Sequence, residues 1–118
     1  EWPNLLKNWH DKPEKVIMPE GESIKDVSER SVEAFNKICS SQKDNDQTLV
    51  VAHDAVNKTL ICYILGINYP NIWMIKQGNG GITVIDLFKD PQKSPVISTL
   101  NITTHLGGII DSTASGAL

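Results

Sequence analysis

Thr48-Leu49-Val50-Val51-Ala52-His53-Asp54-Ala55 decides how the rest of the chain is read. Leu49 to Ala52 is an unbroken apolar run with two adjacent β-branched valines and no polar alternation. A strand with both faces covered reads this way, as in a parallel α/β sheet. A helical stretch from Ala55 to Leu65 follows at once, apolar nearly all round through Val56, Leu60, Ile61, Ile64 and Leu65. His53 therefore falls at the carboxyl end of a strand and the start of a helix, where open α/β sheets bind ligands. The unsatisfied N–H groups of a helix start favour an anion such as phosphate. Two readings of His53 stand at this point: a phosphate-site histidine, or a histidine held by hydrogen bonds at a strand end.

The segments on either side fit the same frame. Pro3 to Trp9 predicts a short helix, with Pro3 in its first turn and Leu5, Leu6 and Trp9 on one side. Pro13 and Pro19 break the following loop, in which Val16, Ile17 and Met18 reach toward the core. Gly21 permits a turn, and Ser23 with Asp26 three residues on forms a capping box with aspartate in the usual Glu/Gln place. The helix it opens runs from Ile24 to Ser40, with Ile24, Val27, Phe35, Ile38 and Cys39 on one face. Glu29, Arg30, Glu33 and Lys37 are read as solvated, with Glu33 and Lys37 paired at i,i+4. Gly66 ends the helix after His53. Pro70 to Ile75 forms a short helix or turn carrying Trp73, and Gln77 to Gly81 a glycine-rich connection. Ile82 to Phe88 and Pro95 to Asn101 form an antiparallel hairpin. His10 and His105 are read as structural, and Lys58 as a surface charge. The domain is expected over 1–111, with a disordered tail over 112–118.

The chain has 118 residues, enough for one core, with 40% apolar and 21% charged residues and a net charge of −3. Nothing in that balance points to nucleic acid or a membrane surface. Of 11 basic residues only Arg30 is an arginine, the usual bidentate clamp for a phosphoryl group. Cys39 and Cys62 have no metal-ligand spacing and read as reduced core residues of a cytoplasmic protein. There is no Gly-x-Gly-x-x-Gly after a strand and no Walker-type lysine, which disfavours a nucleotide-binding module.

Three pieces arrive in order: Pro19-Glu20-Gly21-Glu22-Ser23 opening one helix, Leu49-Val50-Val51-Ala52-His53 opening the next, and Leu65-Gly66 before Trp73 and Ile82-Thr83-Val84-Ile85. Together they resemble the C-terminal half of the histidine phosphatase superfamily, in its phosphoglycerate mutase-like branch, over roughly residues 3 to 101. The resemblance implies an α/β class of three-layer α/β/α type, with an incomplete sheet in this chain. It implies a phosphomonoester phosphatase or mutase working through a phosphohistidine, with no metal or dissociable cofactor. It places His53 as the second pocket histidine, which stabilises the transferring phosphoryl group, and Asp54, Glu22 and Ser23 at the substrate.

Several features depart from the family pattern. No histidine here lies in the Arg-His-Gly context of the family nucleophile: His10 and His53 precede aspartate, and His105 precedes leucine. Arg30 matches neither pocket arginine. Asp54 stands where the family often has glycine, and adds negative charge beside the phosphate position. The expectation is a chain that is the C-terminal part of a larger enzyme, or that completes its sheet with another chain, and is inactive alone. The alternative is a non-catalytic domain that binds a phosphorylated ligand or a protein.

Overall fold

The computed structural model describes residues 2–107; the expected tail over 112–118 lies outside them. Helix α1 spans Pro3–Asp11, α2 Ile24–Ser41 and α3 Asp54–Leu65. Strands β1 (Ile82–Asp86) and β2 (Val96–Ile102) follow, with short 3-10 turns at Pro13–Lys15, Tyr69–Met74 and Thr104–Leu106.

Local chemistry sets the helix ends. Ser23 caps α2 in a complete capping box: the Asp26 N–H donates to Ser23 Oγ at 3.2 Å, and the Ser23 N–H donates to the Asp26 carboxylate at 2.9 Å. The Ser23 hydroxyl also donates to the same carboxylate oxygen at 2.6 Å. Gly66, at φ +67°, closes α3 in the left-handed conformation, with its N–H on the last carbonyls. On α2 the Glu33–Lys37 pair forms at i,i+4 as the spacing predicts.

The core is small and lies where α3 meets the start of α2 and the Tyr69–Met74 turn. Ile24, Ile61, Cys62, Ile72 and Ile75 form it, and Trp9, Val27, Ala55, Ile67, Tyr69, Trp73 and Ile97 pack around it. Ser31 and Thr59 are buried polar residues of α2 and α3 whose hydroxyls bond back to their own helices, at Val27 O and Val56 O. In the loop before α2, Val16 and Pro13 are buried and Met18 half-buried, but Ile17 is exposed, bridging to Ser23 through its backbone instead of entering the core.

The hairpin is antiparallel, as its sequence predicts. Its register slips between Ile82 and Val84 and again between Val84 and Ile85, the signature of bulges that bend and twist the pair.

The expected Leu49–Ala52 strand does not form among the described residues. This segment carries no ladder, Leu49 is 87% and Val51 86% exposed, and only Ala52 is half-buried. The reason is non-local. A strand exists through its neighbours' hydrogen bonds, and β1 and β2, the sole sheet among the described residues, pair with each other. The apolar run thus has the composition of a covered strand and, among the described residues, no cover. Among the described residues, no helix is long and apolar enough to cross a membrane.

Candidate phosphate site at the start of the third helix

His53 is the N-cap of α3, in extended backbone conformation, with its carbonyl accepting the first helical bond from the Asn57 N–H at 3.0 Å. Its imidazole does not cap the helix and is exposed. The contrast with α2 is local: there a serine oxygen takes up a first-turn N–H, and here no side chain does. Asn57 steadies the turn from the other side by donating its amide to Ala52 O at 3.2 Å. His53 thus stands at an uncapped helix start, the arrangement that favours an anion.

Asp54, the first residue of α3, turns back along its own helix. Its Oδ2 pairs with Lys58 Nζ at 3.0 Å, four residues on. Lys58 was read from sequence as a surface charge, and the structure overturns this: its side chain is 2% exposed. A helix apolar nearly all round offers a lysine no polar face, so the charge is met by burial with a partner. The ammonium also lies 4.8 Å from the Trp73 ring centroid, in cation–π range. Trp73 is in turn fixed by α1: its Nε1 donates to Trp9 O at 3.0 Å, and the Trp9 ring meets it edge-on at 5.4 Å. His10 lies against the same indole, with ring centroids 5.7 Å apart, in keeping with a structural role. The second oxygen of the pair, Asp54 Oδ1, is buried with no hydrogen-bond partner among the described residues. Lys58 and Trp73 are the two site residues that sequence reasoning missed. The Asp54–Lys58 spacing on an apolar helix was the signal available for the first.

Glu22 and Ser23 are placed at the start of α2, and their side chains are committed there. Arg30 holds Glu22 in a bidentate pair, Nε to Oε1 at 2.7 Å and Nη2 to Oε2 at 2.8 Å. This hydrogen-bonded pair lowers the Glu22 pKa below the usual carboxylate range and raises that of Arg30. Ser23 is taken up by the capping box, which likewise holds Asp26 low. Arg30, read from sequence as solvated, is therefore matched in charge by Glu22. His53 and Asp54 are brought together by sequence adjacency, whereas Glu22 and Ser23 are fixed by α2's own bonds. At the far end of the glycine-rich turn, His105 Nε2 is 3.0 Å from Gly80 O, again a structural contact. Among the described residues no group of three His, Cys, Asp or Glu side chains could hold a metal ion.

Residues 1–103 match the histidine phosphatase superfamily (branch 1). The chain belongs to that superfamily. It is 30% identical over 107 residues to phosphoserine phosphatase 1 of Hydrogenobacter thermophilus, covering 91% of this chain and 49% of that protein. It is 26% identical over 97 residues to 2-carboxy-D-arabinitol-1-phosphatase of Triticum aestivum, covering 82% of this chain and 19% of that protein. Among solved structures, it resembles a phosphoserine phosphatase of Entamoeba histolytica, crystallised as a histidine-to-alanine mutant in complex with phosphoserine. The TM-score is 0.66 at 25% identity, over 89% of this chain and 50% of that one. The histidine phosphatase fold anticipated from the three sequence pieces is thus shown, and the chain spans about half the length of the Hydrogenobacter and Entamoeba relatives.

Proposed function

We propose that this chain is the C-terminal part of a cytoplasmic phosphomonoester phosphatase that works through a phosphohistidine, and that it supplies the second pocket histidine, His53. The observation that carries the proposal is the exposed imidazole of His53 at the uncapped N-terminus of α3. In the proposed reaction, a histidine from the N-terminal part attacks the phosphorus and the alkoxide leaves with a proton from an acid outside this chain. Water then cleaves the phosphohistidine to release inorganic phosphate. His53 and the first N–H groups of α3 offer preorganised donors to the phosphoryl oxygens, on which charge is spread in the transition state. Hydrolysis is preferred over phosphoryl transfer between hydroxyls because the relatives named above are phosphatases.

Two observations support the N-terminal part. The apolar Leu49–Val51 run has no cover among the described residues, and the matched relatives are about twice as long as the match. Asp54 is assigned to the border of the pocket. Glu22 and Ser23, whose side chains are held by Arg30 and Asp26, are assigned to fixing the start of α2 near the substrate. A second reading, a binding domain without turnover, is favoured by one fact: the sole arginine is already paired with Glu22.

The test is His53→Ala in the native full-length protein with p-nitrophenyl phosphate as probe. The expected loss in kcat is about 10²–10³-fold, the cost of removing one preorganised donor from a developing charge. A loss below about threefold removes His53 from the site. Phosphate binding with no turnover by the unsubstituted protein favours the binding-domain reading.

A further inference from the structure

A carboxylate beside an anion site works against it. Asp54 is the residue directly after His53, and its side chain is the acidic group in the first turn of α3. Two features offset its charge. The carboxylate is drawn back along the helix to Lys58 at 3.0 Å, and with Lys58 buried and Asp54 30% exposed, water screens the pair less than it would on a surface. Lys58 stands about 6 Å down the helix axis from Asp54, directed by the Trp73 ring against which its ammonium rests. Trp73 is itself anchored to α1 through Trp9. The chain's one arginine is occupied by Glu22.

A half-buried pair of this kind is weak evidence for stability, because desolvation of Lys58 offsets its attraction to Asp54. The Asp54–Lys58 pair is further weakened by the buried, unpartnered Oδ1. What the pair achieves is electrostatic: the Lys58 ammonium, one turn below the helix start, offsets the unit negative charge that Asp54 places there.

We infer that Lys58 is a positioning residue of the His53 site, holding the Asp54 carboxylate back and cancelling its charge so that α3 presents a net donor surface to phosphate. This deepens the reading of His53 given above and rests on it. Lys58 acts through Asp54 and the backbone it orders; it does not itself contact the substrate.

The test is a charge cycle in the native full-length protein: unsubstituted, Lys58→Met, Asp54→Asn, and the double Lys58→Met/Asp54→Asn. The readouts are KM and kcat for p-nitrophenyl phosphate and inhibition by inorganic phosphate. Lys58→Met is expected to raise KM and the phosphate inhibition constant roughly fivefold to tenfold, the scale of a partly buried unit charge within one helical turn of an anion, with a smaller change in kcat. Asp54→Asn is expected to tighten phosphate inhibition. The double is expected to recover at least about threefold of the loss seen in Lys58→Met, because it removes the uncompensated carboxylate. Lys58→Arg, which keeps the charge, is expected to stay closer to the unsubstituted protein than Lys58→Met does.

A purely structural role gives losses in every variant, with the double the worst, and overturns the inference. If Lys58→Met does not fold, the opposite sign expected for Asp54→Asn still decides: weaker phosphate inhibition in that variant overturns it. If phosphate inhibits the unsubstituted protein and His53→Ala leaves that inhibition unchanged, the His53 reading itself falls and takes this inference with it. If inhibition depends on His53 but the charge variants fail to follow the order above, this inference alone falls.

Discussion

Leu49→Ala in the native full-length protein tests whether the apolar run before His53 is a buried strand there. In the described residues Leu49 is 87% exposed, and a substitution at such a position changes stability by no more than about 0.5 kcal/mol. If the N-terminal part covers the run, the change removes buried carbons from a packed sheet. The lost transfer free energy is then about 2.4 kcal/mol at about 0.8 per methylene-sized group, and a residual cavity extends the range to about 2–5 kcal/mol. With a urea m-value of about 2 kcal/mol/M, the midpoint falls by about 1–2.5 M. Equilibrium urea unfolding followed by far-UV circular dichroism reads this directly. Ile72→Ala is the internal control, because Ile72 is fully buried within this chain and costs about 2–5 kcal/mol whatever covers Leu49. A large shift for Ile72→Ala beside a shift below about 0.3 M for Leu49→Ala would show that the Leu49–Ala52 run is not covered in the full-length protein.

Three further outcomes follow from local geometry. Ser23→Ala removes the side-chain half of the capping box and is expected to lower stability by about 1 kcal/mol, read by thermal unfolding. Glu22 and Asp26 have folded-state pKa values held below the ordinary carboxylate range by Arg30 and Ser23. Their contribution is therefore complete above that range and is lost as pH falls through the lower folded values. Denaturation at pH 5 and pH 3 is expected to show a smaller acid loss in Arg30→Gln and Ser23→Ala than in the unsubstituted protein. Gly81→Ala would drive a Cβ into the Asn101 side chain, whose Oδ1 accepts from the Gly78 N–H at 2.8 Å and pins the glycine-rich turn to β2. Asn101→Gly relieves both that clash and a positive φ of 53°, so in thermal unfolding the double variant is expected to be more stable than Gly81→Ala alone.

The features legible in the sequence are those whose causes are local. Ser23 and Asp26 meet across three residues, Gly66 needs only its own φ, and the hairpin strands are neighbours in the chain. The Leu49–Ala52 strand was misplaced because its hydrogen bonds must come from elsewhere, and composition records that a strand is covered but not by what. Ile17 was misplaced for a related reason: a backbone bridge to Ser23 fixes the loop and leaves its side chain outward. At the site, His53 was found because strand end and helix start are adjacent in sequence. Lys58 was missed because charge on a helix was assigned to solvent, although Val56, Leu60, Ile61 and Ile64 leave that helix little polar face. Arg30 is exposed, as its place on the polar face of α2 predicts, and what the sequence does not show is its pairing. Its partner Glu22 is eight residues away, beyond the i,i+4 spacing by which helical pairs are recognised. The effect of Asp54 on a phosphate site has no sign in the sequence alone; the structure adds that its carboxylate is paired with the buried Lys58.

In the proposed reaction His53 assists phosphoryl transfer to a histidine outside this chain. Trapping the phosphoenzyme from a ³²P-labelled phosphomonoester in the native full-length protein, followed by peptide mapping, tests it most directly. Acid-labile label is expected on a histidine outside residues 1–118, with much less label in His53→Ala. Label on His10, His53 or His105 would contradict it.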